Sequence, residues 1–318
     1  VMIVVSQIPP LYLNRAAPAL ITIGIFLLIL VLLFGSSGGG AQRWLDLGFI
    51  KFQPSEMMKI IIPISIASIL SERTLPPAAI TSLKSITVII IVVSLIALQP
   101  DLGTSLLIGA SGIYVLFFSG VNIRLVKSTW LNLGLILAIL SGSLYVAWNY
   151  LLMPYQQKRI ITLFNPESDP LGSGYHIMQS KIAIGSGGLT GKGLNQGSQS
   201  QLNFVPESST DFIFSVLAEE TGFIGVLFLL FIYLLIIYRC MDLSMRCEDN
   251  FSRLLGASLT FIFFTYVFVN IGMVSGLLPV VGVPLPLISY GGSSLLTLMT
   301  SLGIIMSIYK HKTPRYIK

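Results

Sequence analysis

Long uninterrupted apolar runs restrict the fold of this chain more than any other feature. They occupy roughly residues 17–35, 57–71, 85–99, 103–120, 128–150, 222–239, 254–277 and 291–309, after an apolar remnant at 1–8. Crossing a ~30 Å hydrocarbon layer takes about 20 helical residues, so the shorter runs are expected to reach into their polar flanks. The runs are continuous rather than alternating, which argues against an outer-membrane barrel and leaves helices as the spanning element. With a mean hydropathy of +0.85 and only 10% charged residues, the expected class is an all-α, polytopic helical membrane protein of about eight spans plus the remnant. The opening "VMIVVSQIPP" reads as the tail of an apolar segment. A single membrane domain over 1–318, truncated at its N-terminus, is therefore expected.

The loops set the orientation, because Lys and Arg gather on the cytoplasmic side. Alternate loops divide the 19 cations into sets of 12 and 7. The larger set lies near Arg15, at 72–84, 121–127 and 239–253, and in the C-terminal tail, which puts the C-terminus in the cytoplasm. The segments 36–58, 100–102, 278–290 and the large loop 151–210 then face outward. This distribution accounts for the net charge of +6 without a nucleic-acid partner. Cys240 and Cys247 have neither zinc spacing nor a disulfide framework, and His176 and His311 are too few for a histidine-based metal site.

The outward segments carry the chemistry-bearing residues. In "GAQRWLDLGFIKFQPSEMMK", Ser55 suits a helix N-cap and Glu56 the first turn. Glu56 and Lys59, three apart, share a face, as a local ion pair or as a charged pair lining a cavity. Arg43 is a candidate contact for an anionic head group. Asp101 in "QPDLGTS" sits between two runs, where a turn or cap role competes with a functional one. Lys158 and Arg159 form a cation pair at the start of the large loop. Residues 175–184 suit a short helix on the membrane surface. "GSGGLTGKG" fails the Walker pattern at Ser186 and Gly193.

"VPESSTDFIFSVLAEE", 205–220, holds four of the chain's 13 acidic residues. Asp211 there is either the cap of the helix "DFIFSVLAEE" or a carboxylate at the water–membrane boundary, dried by Phe212, Ile213 and Phe214. Drying raises a carboxylate's pKa and suits it to accept a proton from a hydroxyl. Glu219 lies nearer the Asp211 face than Glu220, and both read as solvated residues of a half-helix ending near Gly222. "LLPVVGVPLPLISYGGSS", 277–294, is too rich in proline and glycine for a long helix. Broken backbone at membrane depth belongs inside protein or beside a cavity. Ser289, Tyr290, Gly291 and Gly292 open the last span, where exposed helix amides can hold an anion.

Taken in order, "QRWLDLG…FQPSE…K", "QPDLGTSL", "FNPESDPLGSGYH…QS…AIGSGG", "VPESSTDFIFSVLAEE" and "GVPLPLISYGGSS" resemble the SEDS family of shape, elongation, division and sporulation proteins, over about residues 40–309. The run "GSQSQLNFVPE" is closer to the elongation branch than to the division branch. The resemblance implies a ten-span fold in the bacterial inner membrane and a peptidoglycan glycosyltransferase that polymerises lipid II on the outer face. It implies partnership with a class B penicillin-binding protein, the crosslinking transpeptidase, within the elongation complex. It maps the family's essential aspartate onto Asp211 as the base. It carries Glu56, Lys59 and Arg43 over as head-group contacts, to which Lys158 and Arg159 are added. Many relatives have histidine just before "TDF"; Ser209 stands there in this chain, so a role for that histidine does not transfer. A divalent cation is left open and no other cofactor is implied.

Two other functions compete with this one. A lipid II flippase would place charges deep in the spans, whereas here the span centres are nearly free of charge. A non-catalytic scaffold for a penicillin-binding protein explains neither the broken 278–290 segment nor the acid-rich stretch.

Overall fold

The computed structural model describes residues 1–38, 41–46, 48, 51–72, 75–121, 131, 134, 138, 141–142, 145–170, 172–201, 204, 207 and 209–311. Its principal helices are α1 (Met2–Val5), α2 (Pro10–Phe34), α3 (Pro54–Ser71), α4 (Ala79–Ala97), α5 (Leu102–Phe118), α6 (Pro154–Phe164), α7 (Ser173–Ser186), α8 (Ile213–Met245), α9 (Asn250–Val274) and α10 (Gly292–Lys310). Six of them are long and apolar enough to cross a membrane, and α5 is a shorter apolar helix. All but α10, which starts one residue into its run, begin before their apolar runs, as the membrane thickness demands. The span read at 128–150 falls for much of its length outside the described residues, as do Arg73, Arg124, Lys127, Lys312, Arg315 and Lys318.

Local chemistry sets the helix starts. Pro10, Pro54 and Pro154 each sit at the first helical position, where the missing N–H costs nothing. Pro54 displaces Ser55 from the expected cap: the N-cap is Gln53, with no side-chain cap bond. Asp101 accepts from the Thr104 amide at 3.2 Å and Asp249 from the Ser252 amide at 3.0 Å, capping α5 and α9. The segment before α3 folds as a small antiparallel sheet, β1 (Ser36–Gly38), β2 (Ala41–Asp46) and β3 (Lys51–Phe52), in that order. Patterning for spans did not anticipate it, because its strands are two to six residues long.

Packing places α3 and α9 at the centre. Of their most apolar windows 67% is buried, against 11% for α8, which turns most of its surface outward. Met58, Ile62, Ile66 and Leu70 of α3 meet Leu28 of α2, Ile108 of α5 and Leu255 of α9 in the main core. Apolar packing gives no net solvent drive within lipid, so polar links between helices matter more there. The Ser258 hydroxyl donates to the Ser111 carbonyl at 2.9 Å, and the buried Gln99 amide to the Leu28 carbonyl at 3.1 Å. α1 packs on α10, with the Lys310 ammonium on Gln7 and the Ser307 hydroxyl on the Ile8 carbonyl.

α8 is not straight. Gly222 takes φ 67° and ψ −168°, which splits the element close to where the half-helix was expected to end. Beyond α9 the chain runs without helix from 275 to 291, as the prolines and glycines require. A second apolar cluster, including Phe212, Phe214, Tyr233, Phe263, Met273 and Leu285, lies beneath this broken segment.

Candidate active site

The broken segment and the turn before α8 are stitched together. The Ser289 hydroxyl donates to the Thr210 carbonyl at 2.5 Å and accepts from the Leu285 amide at 2.7 Å. The Tyr290 amide donates to the Ser209 carbonyl at 2.9 Å. From α9, the buried Asn270 amide donates both to the Asp211 carbonyl at 2.8 Å and to the Val283 carbonyl at 2.6 Å. Asn270 escaped the sequence reading, although a single amide inside "FTYVFVNIGMV" is a signal in itself.

α8 begins at Ile213 with Phe212 as its N-cap residue, so the Asp211 side chain is not the helix cap. That removes the competing role and leaves the carboxylate available. Burial pushes its pKa up to about 6; the nearby Glu207 adds to this and Arg159 opposes it. Gly282 leaves room for the carboxylate: a Cβ there would lie 3.2 Å from Asp211 Oδ2, on backbone with φ +76°. The Arg159 guanidinium, from α6, donates to the Val280 carbonyl at 3.1 Å. One cation and one half-buried carboxylate therefore meet at the broken segment.

Lys158 turns elsewhere. Its ammonium binds Asp169 at 2.8 Å, and Asp169 also accepts from the Ser173 amide at 3.0 Å at the start of α7. Lys158 holds the Asp169 carboxyl below the usual range. His176 of α7 stacks face-on against Phe212, with ring centroids 5.5 Å apart. Burial pushes its imidazole below the ordinary value, against the opposing fields of Glu207 and Asp169.

Two further ion pairs involve β2, α3 and the start of α5, where a Cβ on Gly103 would lie 2.8 Å from the Val281 carbonyl oxygen of the broken segment. Arg43 lies 3.6 Å from Asp101 and donates to the Pro100 carbonyl at 2.6 Å, which also accepts from the Tyr155 hydroxyl at 3.1 Å. Glu56 and Lys59 are in contact at 2.5 Å, Lys59 being 4% exposed with its ammonium 5.1 Å from the Tyr266 ring centre. Lys59, Tyr266, Pro286, Ser289 and Ser301 line one mostly apolar cavity between α8, α9 and α10. Through Ser289 that cavity reaches the turn bearing Asp211. Tyr290 and Gly292 are exposed at the mouth of α10, whose N-cap is Gly291.

Glu219 departs from the expectation of a solvated residue: it is 0% exposed. Its Oε1 accepts from Lys192 at 2.7 Å and from the Gln199 amide at 3.0 Å. α7 likewise does more than lie on a surface, since Ile177, Ser180 and Ala183 are buried against the bundle. Among the described residues no group of three or more His, Cys, Asp or Glu could hold a metal ion.

Fold and site define a class: a multi-pass helical membrane protein with a desolvated carboxylate and an arginine at one end of the bundle. A family model described as cell cycle protein, FTSW_RODA_SPOVE, matches residues 1–314. The chain is 50% identical to peptidoglycan glycosyltransferase MrdB of Escherichia coli K12 over 312 residues, covering 98% of this chain and 82% of that protein. It is 35% identical to the probable peptidoglycan glycosyltransferase FtsW of Idiomarina loihiensis over 313 residues, 97% of this chain and 74% of that one. Crystalline RodA of Thermus thermophilus superposes with a TM-score of 0.69 at 28% identity, covering 98% of this chain and 84% of that chain. A chain of a peptidoglycan synthase complex described as coordinating polymerization and crosslinking gives a TM-score of 0.80 at 31% identity, covering 97% and 85%. The chain belongs to the FtsW/RodA/SpoVE family.

Proposed function

We propose that this chain is a peptidoglycan glycosyltransferase that polymerises lipid II at the outer face of the bacterial inner membrane, with Asp211 as its base. The observation that carries the assignment is the state of Asp211: uncapped, half-buried and raised to about 6, with Arg159 nearby. A carboxylate in that range is ionised at neutral pH yet basic enough to take a proton from an attacking sugar hydroxyl. The hydroxyl oxygen bonds to the anomeric carbon of the donor as the bond to the lipid pyrophosphate breaks. The electron pair leaves with the pyrophosphate, whose charge needs cations. Arg159 is the cation whose field reaches the base, and Lys59 lines the apolar cavity. We assign Lys158, Arg43, Glu56, Asp101 and the entrance of α10 (Ser289, Tyr290, Gly291, Gly292) to supporting contacts with the head group.

The distribution of lysine and arginine supports a cytoplasmic C-terminus and an outward site. Relatives named for peptidoglycan glycosyl transfer, and the synthase complex, support partnership with a class B penicillin-binding protein in the elongation machinery, in service of rod shape.

The test is polymerisation of purified lipid II by the full-length protein with its penicillin-binding partner, wild type against Asp211→Asn. The expected result is glycan strands from the wild type and none from the variant. Strands from the variant overturn the role of Asp211. Strands from neither, with lipid II transport across vesicles, make the protein a flippase.

A further inference from the structure

Glu207 stands in the turn that presents Asp211, and the reaction outlined above gives it no part. Its backbone has φ +52°, in the left-handed region that glycine occupies without strain. A glutamate kept in that conformation is strained, which points to a use for the side chain. Its carbonyl accepts from the Thr210 amide at 3.1 Å and the Phe212 amide at 3.2 Å, closing the turn around Asp211. Its carboxylate accepts from the Thr210 hydroxyl at 2.9 Å. The Thr210 carbonyl is in turn the acceptor of Ser289, so the turn is gripped from both ends.

We propose that Glu207 is a positioning residue for glycosyl transfer: it locks the turn that presents Asp211 and sets a second carboxylate beside it. The inference rests on Asp211 being the base. Among the described residues, three other charged or titratable groups stand around this pair. Arg159 faces Asp211 from α6, and His176 of α7 and Asp169 lie in the same electrostatic neighbourhood as Glu207. Arg159 alone would draw the Asp211 proton off and make a weaker base. Glu207 offsets that pull while remaining exposed, outside the dried pocket.

The sign follows directly. A negative neighbour disfavours ionisation of Asp211, so its loss lowers the Asp211 pKa. The acid limb of polymerisation, where activity falls as Asp211 protonates, is expected near pH 6 in the wild type, since burial raises the Asp211 pKa to about 6. Glu207→Gln keeps an acceptor for the Thr210 hydroxyl and removes only the charge, so its limb moves to lower pH. Glu207→Asp keeps the charge, so its limb stays near that of the wild type even if the turn loosens and the rate drops. The experiment is the pH dependence of lipid II polymerisation by the full-length protein with its partner, for wild type, both Glu207 variants and Asp211→Asn. A lower limb in Glu207→Gln and an unshifted one in Glu207→Asp are the expected result. Superimposable limbs in all three active proteins overturn the role of Glu207, while an inactive Asp211→Asn leaves the base assignment standing. Strand formation by Asp211→Asn overturns both.

Discussion

Lys59 sits 4% exposed against Glu56 and over the Tyr266 ring, with the Thr297 hydroxyl 3.5 Å from the other Glu56 oxygen. Removing one partner of such a pair strands the other, at a cost of about 3–5 kcal/mol, whereas replacing both together is close to neutral. Lys59→Met is therefore expected to lower the unfolding temperature in detergent, and the joint change Glu56→Gln with Lys59→Met to restore most of it. If Lys59 serves the head group, neither protein makes strands; a double variant that polymerises like the wild type reduces the pair to packing. The pair was legible from its spacing of three, though its burial was not. Asp101 and Asp211 show the limit of local pattern. Both precede helices, yet one caps and the other does not. The outcome depends on whether the helix starts at the next residue, as after Asp101, or two residues on at Ile213, as after Asp211.

At the level of elements, the glycine-rich stretch 187–199 is bound to the kink in α8. The Phe223 amide donates to the Gly188 carbonyl at 2.9 Å and the Ile224 amide to the Leu189 carbonyl at 3.1 Å. Gly191 comes so close that a Cβ would lie 2.1 Å from the Glu220 carbonyl oxygen. Glu219 completes the join by accepting from Ser186, Lys192, Ser198 and the Gln199 amide. None of this was readable in sequence, since those donors lie 20–33 residues before Glu219 and periodicity names a face without naming what covers it. Glu219→Ala takes away a buried acceptor of four donors and is expected to destabilise by about 3–5 kcal/mol. Hydrogen exchange should quicken at 187–199 and at Phe223 and Ile224 first, with the centre of α9 still protected. Unchanged exchange in that stretch would mean that the backbone bonds alone hold it.

Across the whole molecule, the spans were legible because a membrane demands long apolar runs, and the motifs singled out the segments between them that carry the charged residues. What joins those segments was not, because each join links residues far apart in the chain. Asn270 is the clearest of these joins: one side-chain amide holds the Asp211 carbonyl, 59 residues earlier, and the Val283 carbonyl, 13 residues later. Asn270→Ala leaves both acceptors without this donor inside the protein, each at a cost of about 1–3 kcal/mol. The turn and the broken segment can then shift relative to each other, and misplacement by about 1 Å can lower a rate on the order of 10²-fold. No charge near Asp211 is altered. The expected result is strand synthesis reduced at every pH with the acid limb still near 6, the opposite signature to that of Glu207→Gln. A displaced limb in Asn270→Ala would mean that α9 governs the ionisation of Asp211 as well as its place.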